Sequence, residues 1–323
     1  MFRNYFQVAF RNLIKNRLFS LINIIGLSVG LAACILISLF VRDELTYDQH
    51  WANADRIFQL NTTFEIPGRE PFVTVVAQGP VKTALLDYFA QDIAASTRFN
   101  ALRPVIRVGD KAFSEQVYWT DSSAADMFDL EVIAGDLRQT LNDNSSFAIN
   151  HSFAIKHFGR TDVIGEVINV TIEEINRDFR VGAVFRDLPH NTVLDFQALA
   201  MIDESDWSAR PYLFEHWFSV NNTVFFQLER GASMDTINTR LADFADNKIQ
   251  IPPGAISQDE LRASDFIRYS TQAIGDIQLN PAGDGEMKAT GDRRTVIIFS
   301  VIAGLMGGVY PALVLSSFSP CGA

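Results

Sequence analysis

The side chains with the most chemistry to offer are the five histidines His50, His151, His157, His190 and His216, and two groups of acids, Glu173 with Glu174 and Asp203, Glu204 with Asp206. Two zinc-binding histidines on one helix face are expected four residues apart. His151 and His157 are six apart and the other three are isolated, so solvated or capping roles are expected of all five. Paired carboxylates suit hydrolysis as acid and base, but these fall in or beside turns, where a solvated face accounts for them. The patterns G-x-x-x-x-G-K-[ST], G-x-S-x-G, H-E-x-x-H and C-x-x-C are all missing, as is a calcium-loop signature. The chain is therefore expected not to be an enzyme, with no catalytic, cofactor-binding or metal-ligating residue and no cofactor. The 26 phenylalanines are assigned to core strands and membrane segments, and Trp207, Tyr212, Phe214 and Trp217 to core packing rather than to a loop that touches a partner.

The placement of charge says more than the reactive groups do. Residues 1–41 carry four basic residues, Arg3, Arg11, Lys15 and Arg17, and no acid; residues 295–323 carry no charge; residues 42–294 hold 23 basic and 38 acidic side chains. Such an acidic middle repels nucleic acid. From Leu18 to Val41 there are 24 residues without a charged side chain, enough as a helix for about 36 Å against roughly 30 Å of hydrocarbon. Basic residues precede this segment and Arg42, Asp43, Glu44 and Asp48 follow it, which places the N-terminus in the cytoplasm and residue 42 onward outside. Residues 1–17 read as an amphipathic helix on the inner membrane surface, with Phe2, Phe6, Ala9, Phe10 and Leu13 on one face. Two rival readings are a cleaved signal peptide, for which the apolar run is too long, and a lipoprotein cut before Cys34, for which the following Ile35–Val41 is too apolar. Gly26 and Gly30 form a small-xxx-small pair that permits close approach of another membrane helix. A second uncharged segment, 295–318, is long enough to return the chain to the cytoplasm, although Arg293 and Arg294 stand on its outer side.

Between the two segments lies a domain of residues 42–292. Alternation over Arg56–Ile66 predicts a half-buried strand with Phe58, Leu60, Thr62, Phe64 and Ile66 on its apolar face. Further strands are predicted at Pro104–Val108, Phe113–Trp119, Phe147–Asn150, Val167–Ile172, Arg180–Phe185, Phe196–Met201 and Val224–Leu228. Helices are predicted after Pro80, near Ser123–Phe128, over Ser152–Phe158 and after a Ser233 cap. This irregular mixture argues an α+β fold of two subdomains, with an insertion at about residues 104–200.

Several stretches resemble a known family. Arg11–Arg17, Ile24–Cys34, Val41–Asp48, Asn53–Phe58, Phe158-Gly159 with Ile164-Gly165, Val184–Pro189 and Ile274–Leu279 are similar, in order, to the N-terminal part of the MacB/FtsX-like permeases of ABC transporters. The resemblance implies a permease of the bacterial inner membrane with several spans, a periplasmic core domain after its first helix, a homo- or heterodimeric assembly, and a separate cytoplasmic ATPase subunit as partner. It departs at 293–320, where the entry to one family helix runs into what resembles the end of a later one, so the intervening helices and the ATPase-contacting loop are expected to be missing, through truncation, internal deletion or a gene-prediction artefact. The function implied is the N-terminal part of an exporter permease in which ATP hydrolysis elsewhere moves the periplasmic domain, with Val41–Tyr47 as the rigid connection. Alternatives are an extracytoplasmic binding or sensor module tethered by one helix, and a membrane-anchored hydrolase.

Overall fold

The computed structural model describes residues 7, 10–11, 14–15, 17–172, 175–217, 219–250 and 262–306. In chain order its elements are α1 (Arg17–Leu45), β1 (Ile57–Phe64), β2 (Phe72–Thr74), β3 (Val76–Gln78), α2 (Val81–Tyr88), β4 (Ile93–Leu102), β5 (Val105–Val108), β6 (Lys111–Ser114), β7 (Val117–Thr120), α3 (Ala124–Met127), β8 (Val132–Gly135), α4 (Leu137–Thr140), β9 (Ser146–Asn150), α5 (His151–Phe158), β10 (Val167–Ile172), β11 (Ile175–Phe185), β12 (Ala198–Met201), β13 (Val220–Leu228), α6 (Met234–Lys248), β14 (Ile267–Ala273) and α7 (Arg293–Gly304). They fall into two units, Met1–Thr46 with Gly291–Ala323, and Tyr47–Thr290.

In the first unit the uncharged run is a single helix that continues four residues beyond Val41. Among the described residues α1 contains the one helix long and apolar enough to cross a membrane. Leu18, Leu21, Ile22, Ile25, Val29 and Leu36 are all exposed along it, an apolar surface of a size that water does not tolerate. α7 starts at Asp292, whose carboxylate accepts from the Arg294 amide at 2.9 Å. It packs on α1 through an edge-to-face pair of Phe40 and Phe299, and Cys34 Sγ lies 3.5 Å from the Ala303 carbonyl. Of the second apolar segment, residues 307–318 lie outside the described residues, as do most of residues 1–16.

The second unit is built on one sheet with the order β14-β1-β13-β4-β7-β12-β9-β11-β10-β5-β6; β2, β3 and β8 pair onto β1, β13 and β11. The pairs β9/β11 and β7/β12 are parallel and the others antiparallel. The strands of residues 105–201 make one half of this sheet, and β1–β4 with β13 and β14 make the other, so the fold is α+β with its two halves meeting at β4 and β7. One face carries a continuous core that joins the halves, including Ile57, Phe99, Phe225, Tyr118, Leu199 and Phe185. The opposite face carries two separate clusters. In one, helices α2 and α6 lay Leu85, Ile237, Leu241 and Phe244 over Leu60, Val224 and Phe226. In the other, Phe147, Ile149, Phe153 and Trp119 pack with Trp207 and Phe214.

Between those two clusters runs a polar seam. Arg98, in β4, is 3% exposed and donates to both carboxylate oxygens of Asp121, at 2.9 and 3.1 Å, to the Gly79 carbonyl at 3.0 Å and to Glu204 at 2.9 Å. Phe214 lies over its guanidinium at 5.4 Å. Gly79 is required here: a Cβ on it would fall 2.2 Å from the Phe214 backbone. Burial alone would raise the Asp121 carboxyl, but the Arg98 hydrogen bonds and charge, with Lys82, hold it below its ordinary value.

Several sequence expectations are corrected here. β4 was not predicted because Ser96, Thr97, Arg98 and Asn100 break apolar alternation, yet all four are buried. β14 was missed for the same reason, its Arg268, Ser270 and Gln272 standing between the apolar positions. β1 is buried on both faces rather than half-buried, since Gln59 and Asn61 are as inaccessible as Leu60 and Thr62; Ile66 lies beyond it and is exposed. Phe113–Trp119 is two strands, with Glu115 and Gln116 between them. His157 is neither solvated nor capping: its ring stacks on Phe113 at 3.6 Å. Asp206 pairs with Arg177 at 2.9 Å, and the half-exposed Glu204 pairs with Arg98. Glu173 and Glu174 lie outside the described residues. Trp207 and Phe214 are buried as expected, whereas Tyr212 is exposed.

Removing one member of a buried ion pair strands the other. Asp121→Asn is expected to destabilise the domain by about 3 kcal/mol near neutral pH. A depressed carboxylate contributes stability above its unfolded pKa and loses it as pH falls through the folded value. The gap between wild type and variant should therefore close in acid, and denaturant unfolding across pH checks this.

Candidate functional site

The chain enters the second unit at Tyr47 and leaves it at Thr290, and both ends are tied to one loop, residues 186–194. α1 ends at Leu45, and a turn over residues 46–50 follows. In that turn Asp48 is fully buried and has φ +57°, the one positive φ outside glycine among the described residues. Aspartate tolerates this left-handed region better than most residues, but it persists only when its surroundings enforce it. The enforcement is explicit. Asp48 accepts from the Thr192 hydroxyl, from the Trp51 indole at 2.9 Å and from the Val193 amide at 3.0 Å, and its own amide donates to the Asn191 carbonyl at 3.0 Å. Trp51 continues the anchor into the shared core, edge-on to Phe128 at 5.2 Å.

The departing chain uses the same loop. Lys288 Nζ donates to the His190 carbonyl at 2.6 Å and lies 3.4 Å from that of Thr192. The loop is held from its other end as well. Arg186 makes a two-point contact with Glu131, each bond 2.7 Å, and Asp187 accepts from the amide and hydroxyl of Ser152 at 2.9 and 2.7 Å, at the start of α5. Val193, Leu194 and Phe196 then enter the shared core. A cleft of about 380 Å³ opens beside this arrangement, lined by His50, Trp51, Leu130, Glu131, Arg186 and Pro189.

Electrostatically, burial pushes the Asp48 carboxyl above its ordinary value, opposed by the hydrogen bonds from Thr192, Trp51 and Val193 and by His50. Burial lowers His50 in turn, against the charge of Asp48. The site holds charge and backbone in place. Among the described residues no group of three or more His, Cys, Asp and Glu side chains converges as metal ligands would. Of the histidines, His50 lines the cleft and His151 Nδ1 lies 3.9 Å from Asp187. Sequence reading named none of Asp48, Thr192 or Lys288 as a site residue. The available signal was an acid three residues before a tryptophan, immediately after a membrane helix.

The family model described as the MacB-like periplasmic core domain matches residues 20–244, more than half of the chain. The chain belongs to that family. No curated protein matches it significantly. Among solved structures, a domain from Porphyromonas gingivalis described as belonging to a permease is 22% identical, with a TM-score of 0.56; the match covers 69% of this chain and 91% of that one. This is a likeness of fold. The periplasmic region of MacB from Actinobacillus actinomycetemcomitans is 13% identical over 68% of this chain and 90% of that one, at a TM-score of 0.45. The chain thus carries the MacB-like periplasmic domain of the ABC-type transporter permease family, together with one candidate N-terminal transmembrane helix.

In the MacB-like domain the anchors of the 186–194 loop can be separated from global stability. Lys288→Met should raise amide exchange of residues 190–194 about tenfold, as expected for losing hydrogen bonds from a charged donor, with the thermal midpoint nearly unchanged. Asp48→Asn should lower the midpoint, since an amide NH2 then faces a donor. The contribution of Asp48 runs opposite to that of Asp121: a raised carboxyl costs stability as pH climbs from the ordinary value of 3.8 through the folded one. The midpoint of Asp48→Asn should not show that decline.

Proposed function

We propose that the chain is the N-terminal part of an ABC-type exporter permease, in which ATP hydrolysis by a separate cytoplasmic subunit moves α1 and, through it, the periplasmic domain. The observation that supports this reading is mechanical. α1 runs without interruption from Arg17 to Leu45, past the apolar run, and a turn follows whose first residues are locked to the 186–194 loop by Asp48. A helix without Gly or Pro in its last turns transmits displacement along its axis, and a buried, multiply bonded carboxylate resists extraction. A mechanical coupler needs stiffness rather than reactive groups, in keeping with the absence of catalytic motifs. The domain limits that go with this reading are an amphipathic segment at 1–17, a span at 18–41, the periplasmic domain at 42–292 with its second half at about 104–200, and a further membrane segment at 295–318. The permease would span the inner membrane more than once, act as a homo- or heterodimer and keep its N-terminus in the cytoplasm, following the positive-inside rule.

Two experiments test the reading. Insertion of Gly-Gly after Glu44 in the permease expressed with its cognate ATPase should abolish export while the two proteins still copurify; unchanged export would remove the lever. For orientation, Asp110→Cys in a background with Cys34 and Cys321 replaced by Ser should react with an impermeant maleimide on intact spheroplasts. Lys15→Cys in the same background should react only after permeabilisation. The reverse pattern overturns the topology.

A further inference from the structure

Away from the junction, the β1 face that carries Gln59 and Asn61 holds a group of buried oxygens with no donor to satisfy them. Gln59 Oε1, Asn61 Oδ1, Gln272 Oε1 and Glu286 Oε1 are each inaccessible and accept no hydrogen bond from the protein. Gln59 and Asn61 are themselves 0% and 1% exposed. The four belong to one place. Gln59 and Asn61 are two residues apart on one strand and share a face, Gln272 is the direct cross-strand partner of Gln59, and Glu286 is bonded to Gln59.

The amide orientations are set by their other ends. Gln59 Nε2 donates to Glu286 Oε2 at 3.1 Å, and Gln272 Nε2 donates to the Asn280 carbonyl at 2.5 Å. With Glu286 ionised, flipping either amide would set oxygen against oxygen, so Gln59 Oε1 and Gln272 Oε1 are the acceptors. Glu286 is delivered by a strap held at an isolated parallel bridge between Asp284 and Thr74. The Val75 amide donates to the Asp284 carbonyl at 3.0 Å, as does the Thr74 hydroxyl at 2.9 Å, and a Cβ on Gly283 would fall 2.4 Å from the Val73 carbonyl oxygen.

Three carbonyl oxygens and one carboxylate, with no facing donor, form the ligand set that hard cations take. We propose that Gln59, Asn61, Gln272 and Glu286 bind a cation of the calcium class beneath the 283–288 strap. Burial also pushes the Glu286 carboxyl above its ordinary value, with the Gln59 amide opposing, a penalty that a neighbouring cation relieves. With a single carboxylate the affinity belongs to the weak range of extracellular calcium modules, about 10⁻⁴–10⁻³ M. The cation would tie the strap, and hence the departing chain at Lys288, to β1 and the edge strand β14.

The test is thermal unfolding of the full chain in detergent, followed by tryptophan fluorescence. About 10 mM CaCl2 should raise the midpoint by roughly 3–6 °C over choline chloride of equal ionic strength. Glu286→Gln, which keeps the side-chain shape, should abolish that rise, whereas Asp110→Asn, at an exposed turn, should not. Equal midpoints in the two salts, or an equal rise in Glu286→Gln, overturn the proposal. So does a calcium-independent midpoint that falls with rising pH in the wild type but not in Glu286→Gln, which would instead identify a neutral Glu286 sharing its proton with Gln59. If Glu286→Gln does not fold, calorimetric titration of the wild type with CaCl2 decides: saturable binding of one ion per chain supports the site, and no binding heat overturns it.

Discussion

The buried pairing of Arg98 with Asp121 is the interaction on which the two-part sheet depends. A guanidinium in the middle of a central strand is tolerable only if its donors are met and its charge is balanced. Asp121 does both through Nε and Nη2, with Gly79 and Glu204 accepting from Nη1. The pair lies where β4 meets β7, between two hydrophobic clusters that do not merge on that face. It ties β4 to the residue following β7, and through Glu204 and the overlying Phe214 to the 203–214 segment. The halves are thus joined in two ways: by an apolar core on one face, which favours contact without direction, and by directed polar bonds on the other, which set register.

The same division of labour recurs at the junction. Trp51, Val193, Leu194 and Phe196 supply buried area, while Asp48 and Lys288 supply direction. A single loop receives the chain that arrives from α1 and the chain that goes on to α7.

How much of this was legible in the sequence differs from element to element. The helix after Pro80, the Ser233 cap and the strands at Phe147–Asn150 and Val167–Ile172 were readable because apolar periodicity and capping chemistry are local. β4 and β14 were not, because buried polar residues look like exposed ones until their partners are known. Ser96 finds the Phe225 carbonyl 129 positions away, and Arg98 finds Asp121 across the seam. β1 misled in the opposite direction: its alternation was real, but the polar side was buried too, under a strap more than 200 residues further on. The junction was half legible, since Val41–Asp48 and Val184–Pro189 were both noticed, but separately.

The order of residues alone was enough to mark out a candidate membrane helix, the sign of the charge on each side of it and an acidic α+β domain beyond, because hydropathy and charge act over one segment at a time. Which polar groups are buried, and that Asp48 is held by the 186–194 loop, were decided only by tertiary structure. Each depends on groups brought together from 23 to 227 positions apart, and a polar side chain shows no trace in the sequence of whether it will find water or a partner.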